Sequence, residues 1–235
     1  MIEITDILRP IEQGATNPFL CLADDGKSYV VKGQATTNRQ LIAEFISAHL
    51  ARLFGLPVPQ FETAYIDHLL LRYNDAASNS LGEGVAFASE FIEGLQPITY
   101  QLLTNQGKSL ASELFIFDLW VRNEDRTLSA IGGNPNLFYQ PAETKFWALD
   151  HNLAFDMNFK LDEFKSSHLG SDAWIEQRNL LSKDYFQSKA NSCIDKIDQI
   201  FKEVPKDWEP SDDYFSQIRL ILDQIFEDSF WRQIT

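Results

Sequence analysis

Cysteine is nearly missing from this chain. Two thiols, Cys21 and Cys193, are spread over 235 residues. Neither has a partner at metal-ligand spacing, so a disulfide framework or a zinc ribbon is excluded, and both read as packed thiols of a reducing compartment. Histidine is almost as scarce. His49, His68, His151 and His168 show no ligand spacing, which argues against a zinc site. Positive charge is also short. Lys and Arg number 20 against 34 Asp and Glu, for a net charge of −14. A surface that acidic argues against nucleic-acid binding, which needs cations to displace counterions. No apolar run approaches the roughly 20 residues of a membrane span. The start, Met1-Ile-Glu-Ile-Thr-Asp, lacks the basic opening and apolar block of a signal peptide. Repeats, low-complexity tracts and a nucleophile elbow are all missing. A soluble, cytoplasmic protein that binds neither membrane nor nucleic acid is expected.

What is present is core material. Hydrophobic residues make up 44% of the chain, including 18 Phe and 5 Trp, enough for one large domain or two small lobes. In chain order, Ile2 to Leu8 alternates weakly and reads as an edge strand. Gly14-Ala-Thr-Asn-Pro18 is a small-residue loop. Phe19 to Leu22 and Ser28 to Gly33 form a hairpin around Asp24-Asp-Gly26, since glycine accepts positive φ. Lys32 sits at the end of the return strand. Thr37 to Phe54 is the clearest helix, with a Thr37–Gln40 capping box and a stop at Gly55 and Pro57. Glu44, Ala48 and Ala51 share one stripe of it, a lone acid among small residues.

Phe61 to Ile66 and Val85 to Glu93 read as strands, with a polar loop from Asn74 to Gly84 between them. A boundary is expected near Glu93. Beyond it, Leu110 to Val121 is apolar almost all round and reads as a buried helix. Strands start at Asn136 and end at Asp150, and an irregular stretch runs to about Gly170. Helical spacing from Phe186 to Phe201 ends at Pro205, and a last amphipathic helix starts near Ser211. The fold class is therefore α+β, with a small β-rich lobe over 1–93 and a helical lobe over 94–235.

Phosphoryl transfer needs a loop over the phosphates, a cation on them, an acid holding that cation, oxygen ligands for a metal, and a carboxylate facing the incoming hydroxyl. Gly14, Ala15 and Thr16, then Lys32, Glu44, Asp125, Asn136 and Asp150, supply candidates in that order. Singly each has an ordinary explanation. Lys32 could be a solvated strand end, Glu44 a helix-surface acid, Asn134-Pro-Asn136 a turn, and Asp125 a helix terminus. Asp150 is harder to dismiss, because it closes the apolar run Phe146-Trp-Ala-Leu and needs a partner. His151, beside it, reads as a packed structural residue.

Together these segments resemble a known family. Val30-Val-Lys32, the Glu44 helix running into Leu53-Phe-Gly-Leu-Pro-Val-Pro59, Phe117-Asp-Leu-Trp-Val-Arg-Asn-Glu-Asp-Arg-Thr127, Asn134-Pro-Asn-Leu137 and Leu149-Asp-His151 are similar to the HipA-like kinases, in particular the short single-domain branch. The match covers about residues 10 to 156, and the rear helices match only in being helical. The resemblance implies a two-lobed protein-kinase-like fold related to lipid kinases, ATP with Mg²⁺, a Ser/Thr protein substrate, and an antitoxin-type partner. By motif, Lys32 would hold the phosphates, Glu44 would orient Lys32, and Asp125 would be the catalytic base. Asn136 and Asp150 would be metal ligands, and Gly14, Ala15 and Thr16 would cover the triphosphate. Thr16 is by analogy the site of self-phosphorylation. Glu90, Phe91 and Ile92 would bind adenine through backbone groups, and Arg126 and Thr127 would contact phosphate or substrate. The loop between Asp125 and Asn134 is longer than the superfamily pattern, which leaves Asn134 and Asn136 both open as the metal ligand. It also supports a rival reading, an ATP-binding module without turnover. A second rival is a small-molecule or lipid phosphotransferase.

Overall fold

The computed structural model describes residues 1–12 and 16–234. By contacts the chain separates into two compact units, one of residues 1–45, 59–93 and 204–210, the other of 46–58, 94–203 and 211–235.

The first unit is built on strands β1 (Ile2–Pro10), β2 (Phe19–Ala23) and β3 (Ser28–Lys32). Gly26, at φ 79°, makes the β2–β3 turn. Next comes α1 (Asn38–Phe54), whose first half belongs here. The Thr37 and Gln40 side-chain oxygens each accept from the other's backbone N–H, a reciprocal capping box. Then follow β4 (Phe61–Ile66), α2 (His68–Leu71), α3 (Asp75–Leu81) and β5 (Gly84–Glu90).

The strands close into a barrel in the order β1-β2-β3-β5-β4. This corrects the reading of Ile2 to Leu8 as an edge. β1 pairs antiparallel with β2 and parallel with β4 through Ile2–Ala64 and Glu3–Tyr65. Its register against β2 shifts between Ile4 and Asp6 and again between Ile7 and Arg9. Inside lie Phe19, Cys21, Tyr29, Val31, Ala64, Ile66, Ala86 and Ala88.

The polar stretch from Asn74 to Gly84 is not a loop but carries α3. Asn74 caps it by accepting the Ala77 N–H at 3.0 Å, and Gly82 at φ 65° ends it. Only Ala77, Ser80 and Leu81 are buried, too few positions for a periodic signal. The backbones of Gly33 and Leu81 meet so closely that a Cβ on Gly33 would lie 2.0 Å from the Leu81 oxygen. β5 ends at Glu90, three residues earlier than read from sequence.

The second unit holds the rest of α1, then β6 (Gln96–Pro97), α4 (Tyr100–Gln106), α5 (Lys108–Val121), β7 (Leu137–Gln140) and β8 (Lys145–Ala148). Strands β6-β7-β8 form a small sheet in that order. After it come α6 (Leu161–Ser167), α7 (Ser171–Gln177), α8 (Lys183–Ile194), α9 (Ile197–Glu203), α10 (Asp212–Asp223) and α11 (Asp228–Arg232). Two expectations change here. The stretch before Gly170 contains α6, a short helix with acids in its first turn and a lysine in its last, so its ends follow the helix dipole. The single helix from Phe186 to Phe201 is two, divided where the Lys196 N–H bonds to the Cys193 carbonyl at 3.1 Å, one residue short of the α pattern.

Helix α5 is the centre of this unit, buried from Leu114 to Val121. Phe54 packs on Phe117 and Trp120 at 5.4 and 5.7 Å between ring centres. The buried indoles each donate to a backbone carbonyl: Trp120 to Leu222, Trp174 to Ile234 and Trp231 to Ile225. Among the described residues no helix is long and apolar enough to cross a membrane. Cys21 and Cys193 are buried free thiols, both pushed up to about 12 chiefly by burial, which keeps them protonated and inert.

Candidate functional site

In the first unit, Lys32 ends β3 and pairs across the ladder with Phe87. Its Nζ lies 2.8 Å from Glu44 Oε2 on α1. Both residues are buried, at 8% and 4% exposure, so neither is a solvated surface group. Ala48 and Ala51, on the same stripe of α1 as Glu44, are buried as well.

Of the small-residue loop, Gly14 and Ala15 lie outside the described residues. Thr16 is buried, and Asn17 follows at φ 46° with its carbonyl held by the Ser80 hydroxyl of α3. In the adenine stretch, the Glu90 N–H is bonded to the Gln60 carbonyl at 2.7 Å, and the Phe91 N–H to that of Ser28 at 2.8 Å. Those two N–H donors are committed to the fold, while the carbonyls of the stretch are separate groups. The Glu90 carboxylate faces Lys27 at 2.9 Å.

In the second unit, α5 stops at Arg122, which takes a left-handed φ of 56° while the Asn123 N–H reaches back to the Asp118 carbonyl at 2.8 Å. That is a Schellman ending made without glycine. It turns the chain sharply and delivers Asp125. Asp125 Oδ2 accepts from Asn136 Nδ2 at 3.0 Å and from Asn134 Nδ2 at 3.3 Å. Both asparagines left open by the sequence therefore meet the same carboxylate. They differ in setting, since Asn136 is buried just before β7 and Asn134 is exposed.

The long loop between Asp125 and Asn134 returns on itself. The Thr127 N–H bonds to the Asn134 carbonyl at 2.8 Å, and the Asn134 N–H bonds back to Thr127 Oγ1 at 3.1 Å. Gly133 is required at its base, because a Cβ there would lie 2.5 Å from the Thr127 oxygen.

Asp150 is placed by the neighbouring strand. Leu137 pairs with Ala148, and the Leu149 N–H bonds to the Asn136 carbonyl at 2.9 Å. Asn136 and Asp150 therefore leave adjacent strand ends, both at left-handed φ, 41° and 57°. Two non-glycine residues in that region mark stored backbone strain, which surrounding contacts must hold.

Those contacts include a group the sequence reading misplaced. Arg126 does not face phosphate or substrate. It is fully buried, with Nε on Asp118 Oδ2 at 2.7 Å and Nη1 on the backbone of the strand ends. Thr127 spends its hydroxyl closing the loop. Asp118, His168 and Asn123 went unassigned in the sequence. His168 Nε2 lies 3.0 Å from Asp118 Oδ2, and Asn123 Nδ2 donates to Oδ1 at 3.1 Å. Burial pushes the Asp118 carboxyl up, but the Arg126 guanidinium and the His168 bond outweigh it and hold it below the usual carboxylate range. One signal was available, since a carboxylate inside the apolar run of α5 demands a partner. His151 is buried and lies edge-to-face on Phe117 at 5.8 Å, a packed position.

A family model described as HipA-like kinase matches residues 4–234. The chain belongs to the HipA-like kinase family. The match takes in the rear helices α6 to α11 as well as the segments that carried the resemblance. Among solved structures, a Golgi casein kinase matches all of this HipA-like kinase and 73% of its own chain, at TM-score 0.57 and 12% identity. The proinflammatory kinase CtkA of Helicobacter pylori matches all of it and 96% of its own chain, at TM-score 0.54 and 11% identity. At such identities they show a shared kinase fold. No curated protein matches significantly in sequence. Family and fold together make this HipA-like kinase a kinase-like phosphotransferase.

Proposed function

We propose that the chain transfers the γ-phosphoryl group of ATP, with Mg²⁺, to a serine or threonine hydroxyl of a protein. The observation that carries the reading is the meeting of Asn136 with Asp125 at 3.0 Å, with Asp150 at the adjoining strand end. Two carboxylates and a carboxamide at strand and helix ends are the oxygen donors this chemistry uses.

The donor set fits Mg²⁺. Among the described residues no three His, Cys, Asp or Glu side chains gather to hold a metal by themselves. Mg²⁺ does not need that, because it keeps several waters and binds through one or two carboxylates plus substrate phosphates. Asn136 and Asp150 would hold it, and when bound it neutralises phosphate charge. Asp125, fixed by its carboxamide donors, would orient the acceptor hydroxyl and take its proton. Lys32 would hold the phosphates, Glu44 would keep Lys32 extended, and Thr16 with Gly14 and Ala15 would cover them. Backbone groups of Glu90, Phe91 and Ile92 would meet adenine.

The same reading includes a nucleotide lobe over 1–93, a catalytic lobe over 94–235, a cytoplasmic setting and an antitoxin-type partner, the last resting on family membership alone.

Incubation with labelled ATP, Mg²⁺ and cell extract tests the reading. Labelled protein bands from the wild type, lost in Asp125→Ala and Asp150→Ala chains of unchanged circular dichroism, are expected. Label appearing only in small metabolites would instead favour a small-molecule or lipid phosphotransferase. Nucleotide binding without turnover would make the chain an interaction module.

A further inference from the structure

Arg126 stands next to Asp125, yet no part of it reaches the surface. A buried guanidinium is costly unless its charge and its donors are met. Asp118 meets the charge at 2.7 Å. Nη1 then donates to the backbone carbonyls of Asn136 and, at 3.2 Å, of Leu149, with that of Pro135 at 3.5 Å. The first belongs to one candidate metal ligand, and the second directly precedes the other. A single planar group thus ties together the two strained turns that present Asn136 and Asp150.

The anchor is itself anchored. Asp118 also accepts from Asn123 and faces His168, and the Gly170 N–H donates to His168 Nδ1 at 3.0 Å, which puts the imidazole proton on Nε2 toward the carboxylate. The Leu169 N–H bonds to the Arg126 carbonyl at 3.0 Å, so the backbone of Arg126 is held too.

We infer that Arg126 is a positioning residue for the divalent cation, with Asp118 as its countercharge. The inference rests on the function proposed above. Arg126 sets where the Asn136 and Asp150 oxygens point, and it touches neither phosphate nor substrate. A small hard cation tolerates little error in ligand geometry, and left-handed turns relax unless their surroundings over-determine them. Lysine cannot substitute, because its point donor lacks the fork that reaches both Asp118 and the carbonyls.

The decisive measurement is Mn²⁺ uptake by the whole chain in the presence of ADP, read by electron paramagnetic resonance. Arg126→Lys is expected to bind Mn²⁺ at least tenfold more weakly than the wild type, while metal-free ADP binding stays within twofold. Its phosphotransfer should recover as Mg²⁺ is raised, with half-saturation shifted by a similar factor. A purely structural lesion would reduce the folded fraction without altering the Mn²⁺ affinity of what remains folded. If Arg126→Lys does not fold, Asp118→Asn, which keeps the shape and removes the charge, takes its place with the same expectation. A folded variant whose Mn²⁺ affinity matches the wild type overturns this inference alone. A wild type that takes up no Mn²⁺ with ADP overturns the proposed function, and this inference with it.

Discussion

Lys32 Nζ and Glu44 Oε2 lie 2.8 Å apart at sites that are 8% and 4% exposed. A pair this buried adds little net stability, because desolvating two charges consumes most of their attraction. Breaking it from one side is another matter. Glu44→Gln should lower stability by up to about 3–5 kcal/mol, since it removes the carboxylate that the buried Lys32 ammonium meets at 2.8 Å. The double change Lys32→Met with Glu44→Leu should recover most of that in urea unfolding, yet stay inactive in phosphotransfer. An active double variant would mean that the pair serves folding only.

Asn134 and Asn136 share Asp125 Oδ2, but only Asn136 is buried and joined to the neighbouring strand end. Asn136→Ala should lower kcat at least a hundredfold and raise the Mg²⁺ requirement. Asn134→Ala should cost less than tenfold, because solvent can replace an exposed amide donor. Steady-state rates over a Mg²⁺ series decide the matter, and equal losses would return Asn134 to candidacy as the ligand.

His168 is buried, and burial holds it below its ordinary value of 6.5, with the bond to Asp118 opposing the shift in part. A base with a depressed folded pKa supports folding above its unfolded value. That support is lost as pH falls below about 6.5 toward the folded pKa, because the unfolded chain then takes up the proton first. Asp118, held low, withdraws its own support only below about 3.8. Tm should therefore drop between pH 7 and 5. His168→Gln should flatten that slope, leaving a residue from His49, which burial also holds low. Scanning calorimetry across that interval checks it, and an unchanged slope would show that His168 is not neutral in the fold.

Local chemistry is what could be read from the chain in advance. The capping box at Thr37, the stop at Gly55, the Gly26 turn and the largely apolar second half of α5 each depend on a few adjacent residues, and each lies where the pattern put it. Short helices escaped. α3 and α6 bury too few side chains to leave a period, and they are held by caps and terminal charges instead. The candidate site divides along the same line. Asp125 and Asp150 stood out because each follows an apolar element, and Asn136 because it opens one. That both asparagines would meet one carboxylate depended on the Thr127–Asn134 loop closing over Gly133, which spacing does not reveal.

The sequence by itself determined the family, the α+β class and the candidates for chemistry, because motif order and the apolar walls around polar ends are written locally. Tertiary structure decided the rest. It closed β1 onto β4 and turned Arg126 inward to Asp118 and His168, residues that only folding brings together. The physical reason is the cost of burying charge: a guanidinium without water must find its carboxylate wherever the fold has placed one.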